Sequence, residues 1–389
     1  MSDLFSSEDL TESPDHIYYD LSISNSHSIG EIEPHLKFNE TRTTAIIEHP
    51  ERYKLSIVRF MVDTHSLPIM QPTIMKQSDQ LKYFPNNVDM NRTVYSITIE
   101  HGIDKIMEYV QFDPQDTTVN MPASFRPNGS PDYSTGYYNL YSYDHFVTMC
   151  NYTIKNIMSN VVFQYPFYSG LPSLFFDGKK ISFQSPASNW NSSIDSHYKI
   201  YFNTAAYRLF NSMPAKHLDK KDAFGRNFQL DTANFSNNFA LFTNYHTLGG
   251  SVANPIGMTF LNITQEYSTT ANWSPVSSIA FTSASLHVEA SHVSNLHEYD
   301  HGNEVIEGSS NNSLTIITDF ATSDYLPGIL YVPSGEYRWV DLTKSGPLKK
   351  INVEVYWLSK LAEINPFQLS AGGSASLKML FQKKNKFRR

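Results

Sequence analysis

Between Ile17 and Ser24 apolar and polar positions alternate, with Ile17, Tyr19, Leu21 and Ile23 on one parity and Tyr18, Asp20, Ser22 and Ser24 on the other. A period of two marks a strand with one buried face. The stretch from Tyr53 to Val62 starts the same way, with Tyr53, Leu55 and Ile57 in step, and then changes parity to Val58, Phe60 and Val62. That switch predicts either a bulge or a strand covered on both faces, and Leu67-Pro68 ends the segment. Thr93 to Glu100 alternates again, and Glu108 to Phe112 is placed to be its hairpin partner.

The period then lengthens. Phe146, Met149, Cys150, Ile154 and Ile157 recur close to every 3.6 residues, which predicts a helix from Asp144 to Ser159 with Asp144 as its cap. A shorter helix is expected to begin at Asn203 and to present Ala206, Tyr207 and Phe210. Elsewhere in the middle of the chain short aromatic strands, Lys179–Phe183, Tyr198–Phe202, Ala240–Tyr245 and Gly257–Ile263, are separated by turn residues without helical crossovers. Antiparallel pairing follows. The last hundred residues add Ser313–Asp319, Gly328–Val332, Lys350–Leu358 and Ser374–Lys383. In the latter two, Ile351, Val353, Val355 and Trp357, then Ala375, Leu377, Met379 and Phe381, define buried faces. No fixed-period repeat is visible, so the pattern points to a sandwich or jelly roll and away from a propeller or solenoid.

Composition narrows the function classes. The 389 residues are enough for one large or two ordinary domains. With a single cysteine, Cys150, there is no intrachain disulfide and no multi-cysteine metal site. The acidic, Ser-rich start is unlike a signal or transit peptide, and nowhere do eighteen apolar residues run together, so no membrane span is expected. The nine Asn-x-Ser/Thr sequons then read as by-products of high Asn, Ser and Thr usage. A net charge of -8 argues against a dedicated nucleic-acid binder. Only 17% of residues are charged and 14% are aromatic, a balance suited to strands and extended contact surfaces. The charge is uneven, with five acids in the first fifteen residues and a basic C-terminus of Lys383, Lys384, Lys386, Arg388 and Arg389. These ends read as solvated tails, or at the C-terminus as an arm that touches packaged nucleic acid or an acidic neighbour.

Candidate chemistry is sparse. His287, His292, His297 and His301 lie near one another, with Glu298 and Asp300 beside the last pair, and His297 and His301 would share a helical face suited to zinc. The surrounding pattern is that of a strand running into a polar loop, so a solvated or pH-responsive loop competes with the metal site. Cys150 could serve as a thiol nucleophile beside His145, yet its spacing places it on the apolar helix face. Asp177-Gly-Lys-Lys lacks the upstream glycine of a phosphate loop, and Gly372-Gly-Ser-Ala-Ser lacks the closing glycine of a nucleophile elbow. No cofactor is expected.

The two ends of the chain are informative together. Leu36-Lys-Phe-Asn-Glu-Thr-Arg-Thr-Thr44, Tyr53 to Thr64 and Ser66-Leu-Pro68 resemble the N-terminal part of penton-type minor capsid proteins of virophages and polinton-like viruses, in the adenovirus-like lineage. Ile316 to Phe320, Leu330 to Ser334, Glu336-Tyr-Arg338, Val355-Tyr-Trp357, Pro366 to Leu369 and Ser374 to Phe381 are similar to that family's closing strands. Tyr201-Phe-Asn203 with Tyr207 to Phe210 resembles a mid-chain element.

The resemblance implies an all-β fold: a jelly-roll sandwich built from N- and C-terminal segments, with a β-rich insertion domain and one or two short helices. It places a flexible acidic tail at 1–14, the jelly roll at 15–125 and 275–382, the insertion at 126–274 and a basic tail at 383–389. The implied role is structural, as a homopentamer at the fivefold vertices of an icosahedral virion beside a double-jelly-roll major capsid protein. Packaged DNA or internal capsid components at the C-terminal tail, and a host receptor, are further candidate partners. Synthesis would take place in the host cytoplasm or nucleus. Arg59, Arg338, Trp339 and Trp357 are the residues expected to pack or make contacts. The rival readings are a receptor- or glycan-binding spike and, further off, a capsid-associated hydrolase.

Overall fold

The computed structural model describes residues 14–26, 35–70, 92–111, 140–163, 170–192, 196–218, 224–232, 239–241, 244–247, 250–253, 259–288, 291–292, 297–299, 305–307, 315–322, 328–333, 337–360 and 364–384. Contacts divide the chain into two units, Met1–Leu67 with Pro275–Arg389, and Pro68–Ser274.

Eight strands build the first unit: β1 (His16–Ser24), β2 (Lys37–Thr41), β3 (Tyr53–Asp63), β4 (Val276–Thr282), β5 (Thr315–Ala321), β6 (Gly328–Tyr331), β7 (Lys350–Ser359) and β8 (Ser374–Lys383). Their hydrogen bonding gives two antiparallel sheets, β1-β8-β3-β6 and β2-β7-β4-β5. Strand 1 pairs with 8, 2 with 7, 3 with 6 and 4 with 5, which is the jelly-roll winding, here with the second unit spliced between β3 and β4. Short strands Val340–Asp341 and Ile364–Pro366 extend the two sheets at β3 and β7, and Ser291–His292 lies beside β5.

The apolar alternation read from the sequence is the inner face of this sandwich. Tyr19 and Leu21 of β1 are buried while Tyr18, Asp20 and Ser22 face out. The parity change in β3 is a bulge: Ile57 stands opposite Met379 and Arg59 opposite Lys378, leaving Val58 as the extra residue. The bulge lets Tyr53, Leu55, Ile57, Phe60 and Val62 all enter one core. Aromatic rings bridge the two sheets there. Phe60 of β3 meets Phe281 of β4 edge-on at 4.9 Å, and Phe320 of β5 stacks on Tyr331 of β6 at 4.3 Å. The outward residues of β4, Ser278, Ala280 and Thr282, are small and also buried. This strand is flanked on both sides, by β7 and β5.

The second unit carries its own core. One sheet runs Asp104–Gln111, Arg92–His101, Lys199–Phe202, Phe228–Leu230, Ala215–His217, and another runs Phe239–Leu241, Thr259–Thr264, Ile181–Pro186, Ser173–Phe176. Helix α1 (Tyr143–Met158) buries Phe146, Cys150, Ile154 and Ile157. Asn151 on this helix acts as a strand mimic, donating to the Leu174 carbonyl at 2.8 Å and accepting from the Leu174 N–H at 2.7 Å. The short helix Thr204–Leu209 begins at Asn203, whose side chain accepts from the Ala206 N–H at 2.9 Å. Asp177-Gly-Lys-Lys is the hairpin turn from Ser173–Phe176 to Ile181–Pro186. Gly178 has φ 90, and the Asp177 carboxylate accepts from the Lys179 and Lys180 amides.

Several expectations are corrected. The first domain boundary falls at 67/68, ahead of the 125/126 expected, because Arg92–His101 pairs with Lys199–Phe202 and Met70 bridges to Leu140. Helix α1 starts one residue before Asp144, with Ser142 in the cap position. Asp144 sits in the first turn, where its charge suits the helix N-terminus. The expected strand Ala240–Tyr245 is two, Phe239–Leu241 and Asn244–Thr247, each paired elsewhere. Lys383 and Lys384 do not begin a free tail: Lys383 ends β8 with its N–H donating to the Asp15 carbonyl, and the Lys384 N–H donates to that of Arg52. Lys386, Arg388 and Arg389 lie outside the described residues, as do most of the 1–14 segment and the Pro-rich stretch from Pro114 to Tyr133.

The core rings and one buried carboxylate yield two predictions. Phe60→Ala removes a fully buried ring between the sheets and is expected to destabilise the first unit by about 3–5 kcal/mol, read from its denaturant unfolding midpoint. In the second unit Glu100 is ion-paired with Lys199 at 3.2 Å and Arg226 at 2.5 Å. Burial pushes its carboxyl up, but the two cations together more than offset this and hold it below 4.5. The folded value lies under the unfolded one, so this contribution is present above about pH 4.5 and is lost as pH falls through the folded value. Glu100→Gln is expected to lower stability at neutral pH and to flatten the acid limb of a melting-temperature profile.

Candidate assembly surface

The outward face of the β1-β8-β3-β6 sheet can be laid out row by row. Ser22, Ser376, Met61 and Leu330 form one cross-strand row, Asp20, Lys378 and Arg59 the next, and Tyr18, Leu380 and Ser56 a third, in which Tyr18 is exposed while Leu380 and Ser56 are buried. The middle row is an ion cluster in which one carboxylate serves two cations, leaving a net positive charge. Asp20 accepts from Arg59 at 3.3 Å through one oxygen and lies 3.3 Å from the Lys378 ammonium through the other. Exposed pairs of this kind contribute about 0–1 kcal/mol each.

Apolar residues sit at the two ends of the face. Toward β6, Met61 is 48% exposed, its partner Leu330 is 67% exposed, and Val332, two residues on, is 57% exposed. Toward β1, Tyr18 is 59% exposed, with the Lys378 ammonium 5.7 Å from its ring. Both β1 and β6 are edge strands among the described residues. The sequence carried a signal for this that its periodicity masked. Gly328-Ile-Leu-Tyr-Val332 is apolar at both parities, which on an edge strand leaves one set of side chains, Leu330 and Val332, uncovered.

The other expected contact residues scatter. Arg338 is exposed and donates to the Asp319 backbone and side-chain oxygens at 2.6 and 2.8 Å, tying the segment after β6 to β5. Trp339 is half-buried, with the Lys54 ammonium 4.3 Å above its ring and Tyr337 edge-on. Trp357 is buried in the jelly-roll core. Lys384 reaches Asp341 at 3.3 Å.

A groove of about 370 Å3 lies between β1 and β2, and its ionisable residues Asp20, Lys37 and Glu40 are each ion-paired, with Arg59 and Lys378, with Glu354, and with Arg42. No cluster of three metal-ligating side chains occurs among the described residues. His301 and the side chain of His297 lie outside them. The backbone of His297–Tyr299 pairs as a short strand with Val305–Glu307. Among the described residues no helix is long and apolar enough to cross a membrane.

A family described as Sputnik minor capsid protein V18/19 matches residues 17–383 of this sequence. The chain belongs to that family. Among curated relatives, protein V18 of Sputnik virophage is 34% identical over 156 residues, spanning 39% of this chain and 86% of its own length. Structural protein V19 of the same virophage is 23% identical over 215 residues, 55% of this chain and 94% of V19. A chain from the cryo-EM structure of the Sputnik virophage superposes with a TM-score of 0.78 at 24% identity, covering 96% of this chain and 99% of that one. The mavirus penton protein crystal structure gives 0.59 at 15% identity, covering 95% and 100%. Membership of the V18/19 family makes this a structural minor capsid protein of the virion, and it does not favour the spike reading.

Cys150 gives this subsection its test. It is buried in the second unit's core, and burial pushes its thiol well above the ordinary value, so the reactive thiolate is suppressed. In this minor capsid protein a thiol-specific chromogenic reagent is expected to react only as fast as the unit unfolds, and stoichiometrically once denaturant is added. Rapid labelling of the native protein would show an activated thiol instead.

Proposed function

We propose that the chain is a penton-type subunit that stands as a homopentamer at the fivefold vertices of an icosahedral capsid and abuts a double-jelly-roll major capsid protein. The observation that carries this is the winding itself. A single jelly roll is closed by pairing of its first and last strands, and a second unit is spliced between β3 and β4. The family match and the end-to-end likeness to the mavirus penton fold support the reading. A structural ring subunit works through surfaces that are buried on assembly, and rotational closure limits the ring to a set copy number. The exposed apolar residues at the two edges of the outer sheet face, Met61, Leu330 and Val332 at one and Tyr18 at the other, fit that requirement better than they fit a free monomer.

Purified protein measured in solution over a range of concentrations, with negative-stain images alongside, tests the copy number. The expected particle is a fivefold ring of roughly 220 kDa, five chains of 44.4 kDa each. A stable trimer would overturn the reading.

A further inference from the structure

Among the described residues, the outer face of the β1-β8-β3-β6 sheet carries two unlike exposed patches, one at each edge strand, and between them Asp20 is ion-paired with Arg59 and Lys378. We propose that these patches are the two halves of the contact between neighbouring copies in the ring. The Met61, Leu330 and Val332 knob of one copy packs on the β1 edge, around Tyr18, of the next. The inference rests on the ring reading above and names the surface that makes the ring.

Three observations select a second copy as the occupant. First, an open strand edge is normally protected by lysine, proline, a bulge or short length. Strand β6 is short, but its outward side chain Leu330 and the following Val332 are among the more exposed large apolar residues described, and cross-strand Met61 enlarges the same patch. Second, the two patches differ and lie at opposite lateral ends of one sheet, roughly 14 Å apart across three strand spacings and two cross-strand rows apart along the strands. A contact within a rotational ring is head-to-tail, so one chain must present two different, mutually complementary surfaces on opposite flanks. An apolar knob and an amphipathic tyrosine edge meet that demand, and Met and Tyr are both residues enriched where interfaces bury surface. Third, strand direction alternates across the sheet, so β6 of one copy and β1 of the next run antiparallel when the sheets sit side by side in the same sense.

The test uses the full chain and two variants, Met61→Glu/Leu330→Glu and Tyr18→Glu. All three positions are exposed, so each variant is expected to keep the wild-type melting temperature. Mass in solution should show a ring for the wild type and a monomer for each variant at the same concentration. Mixing the two variants at high concentration should yield a dimer and nothing larger, because one intact knob and one intact Tyr18 edge remain to form a single junction. A ring retained by either variant would overturn the proposal while leaving the ring reading in place. So would loss of only the co-assembly with other capsid proteins, which would assign the patch to a different partner. A mixture that stays monomeric would show that the two patches do not face each other. A wild-type chain that never forms a ring would remove the reading on which the proposal stands.

Discussion

Everything in the first unit depends on the last strand entering between the first and the third. Strand β8 pairs with β1 along nine residues, from His16 opposite Gln382 to Ser24 opposite Ser374, and on its other side with β3 from Tyr53 to Val62. Without it β1 loses its neighbour in the sheet among the described residues, and the inner faces of β1 and β3 lose Leu377, Met379 and Phe381, which are fully buried between them. The pairing closes a loop of more than three hundred residues. Loop closure costs only logarithmically more with length, so the arrangement is thermodynamically tolerable, but contacts this distant in sequence slow folding. The jelly roll cannot be completed until the C-terminus has been made.

The spliced unit is consistent with that delay. It has a separate apolar core, its own sheets, a helix anchored by Asn151 on the Leu174 backbone, and an ion cluster at Glu100, all drawn from Pro68–Ser274. Its contacts are closer in sequence than the β1-β8 pairing, and a core that needs no partner from the jelly roll lets a long insertion sit between β3 and β4 without disturbing their pairing partners. In the jelly roll, by contrast, bulges do the fitting. Val58 in β3 and the register shift in β4 between Phe281 and Thr282 turn the strands so that Phe60, Phe281 and Phe320 converge.

Much of this architecture could be read from residue order alone, and the reason is local. Alternation at Ile17–Ile23, Ile351–Trp357 and Ala375–Phe381 reports a half-buried strand because side chains point to opposite faces in turn. The parity break at Val58 reports a bulge for the same reason. The helix at Tyr143–Met158 and the Asn203 cap were legible from spacing and capping chemistry. The proposed contact residues were legible only in part. Trp357 and Arg338 stand out as residue types, yet one is core and the other ties a neighbouring segment to β5, whereas Met61, Leu330, Val332 and Tyr18 look like ordinary strand residues.

Most strands, the central helix, the parity break in β3 and the family signature at both ends were thus legible in the sequence itself, because each rests on neighbours within a few residues, whereas the register with β8 decided that the break is a bulge. The tertiary structure alone decided three things: that Arg92–His101 belongs with the insertion, that Lys383 and Lys384 are held by Asp15 and Arg52, and which apolar side chains are left uncovered. A strand's partner, and so which of its faces is covered and whether its edge is open, is chosen by residues tens to hundreds of positions away. No local period can carry that information.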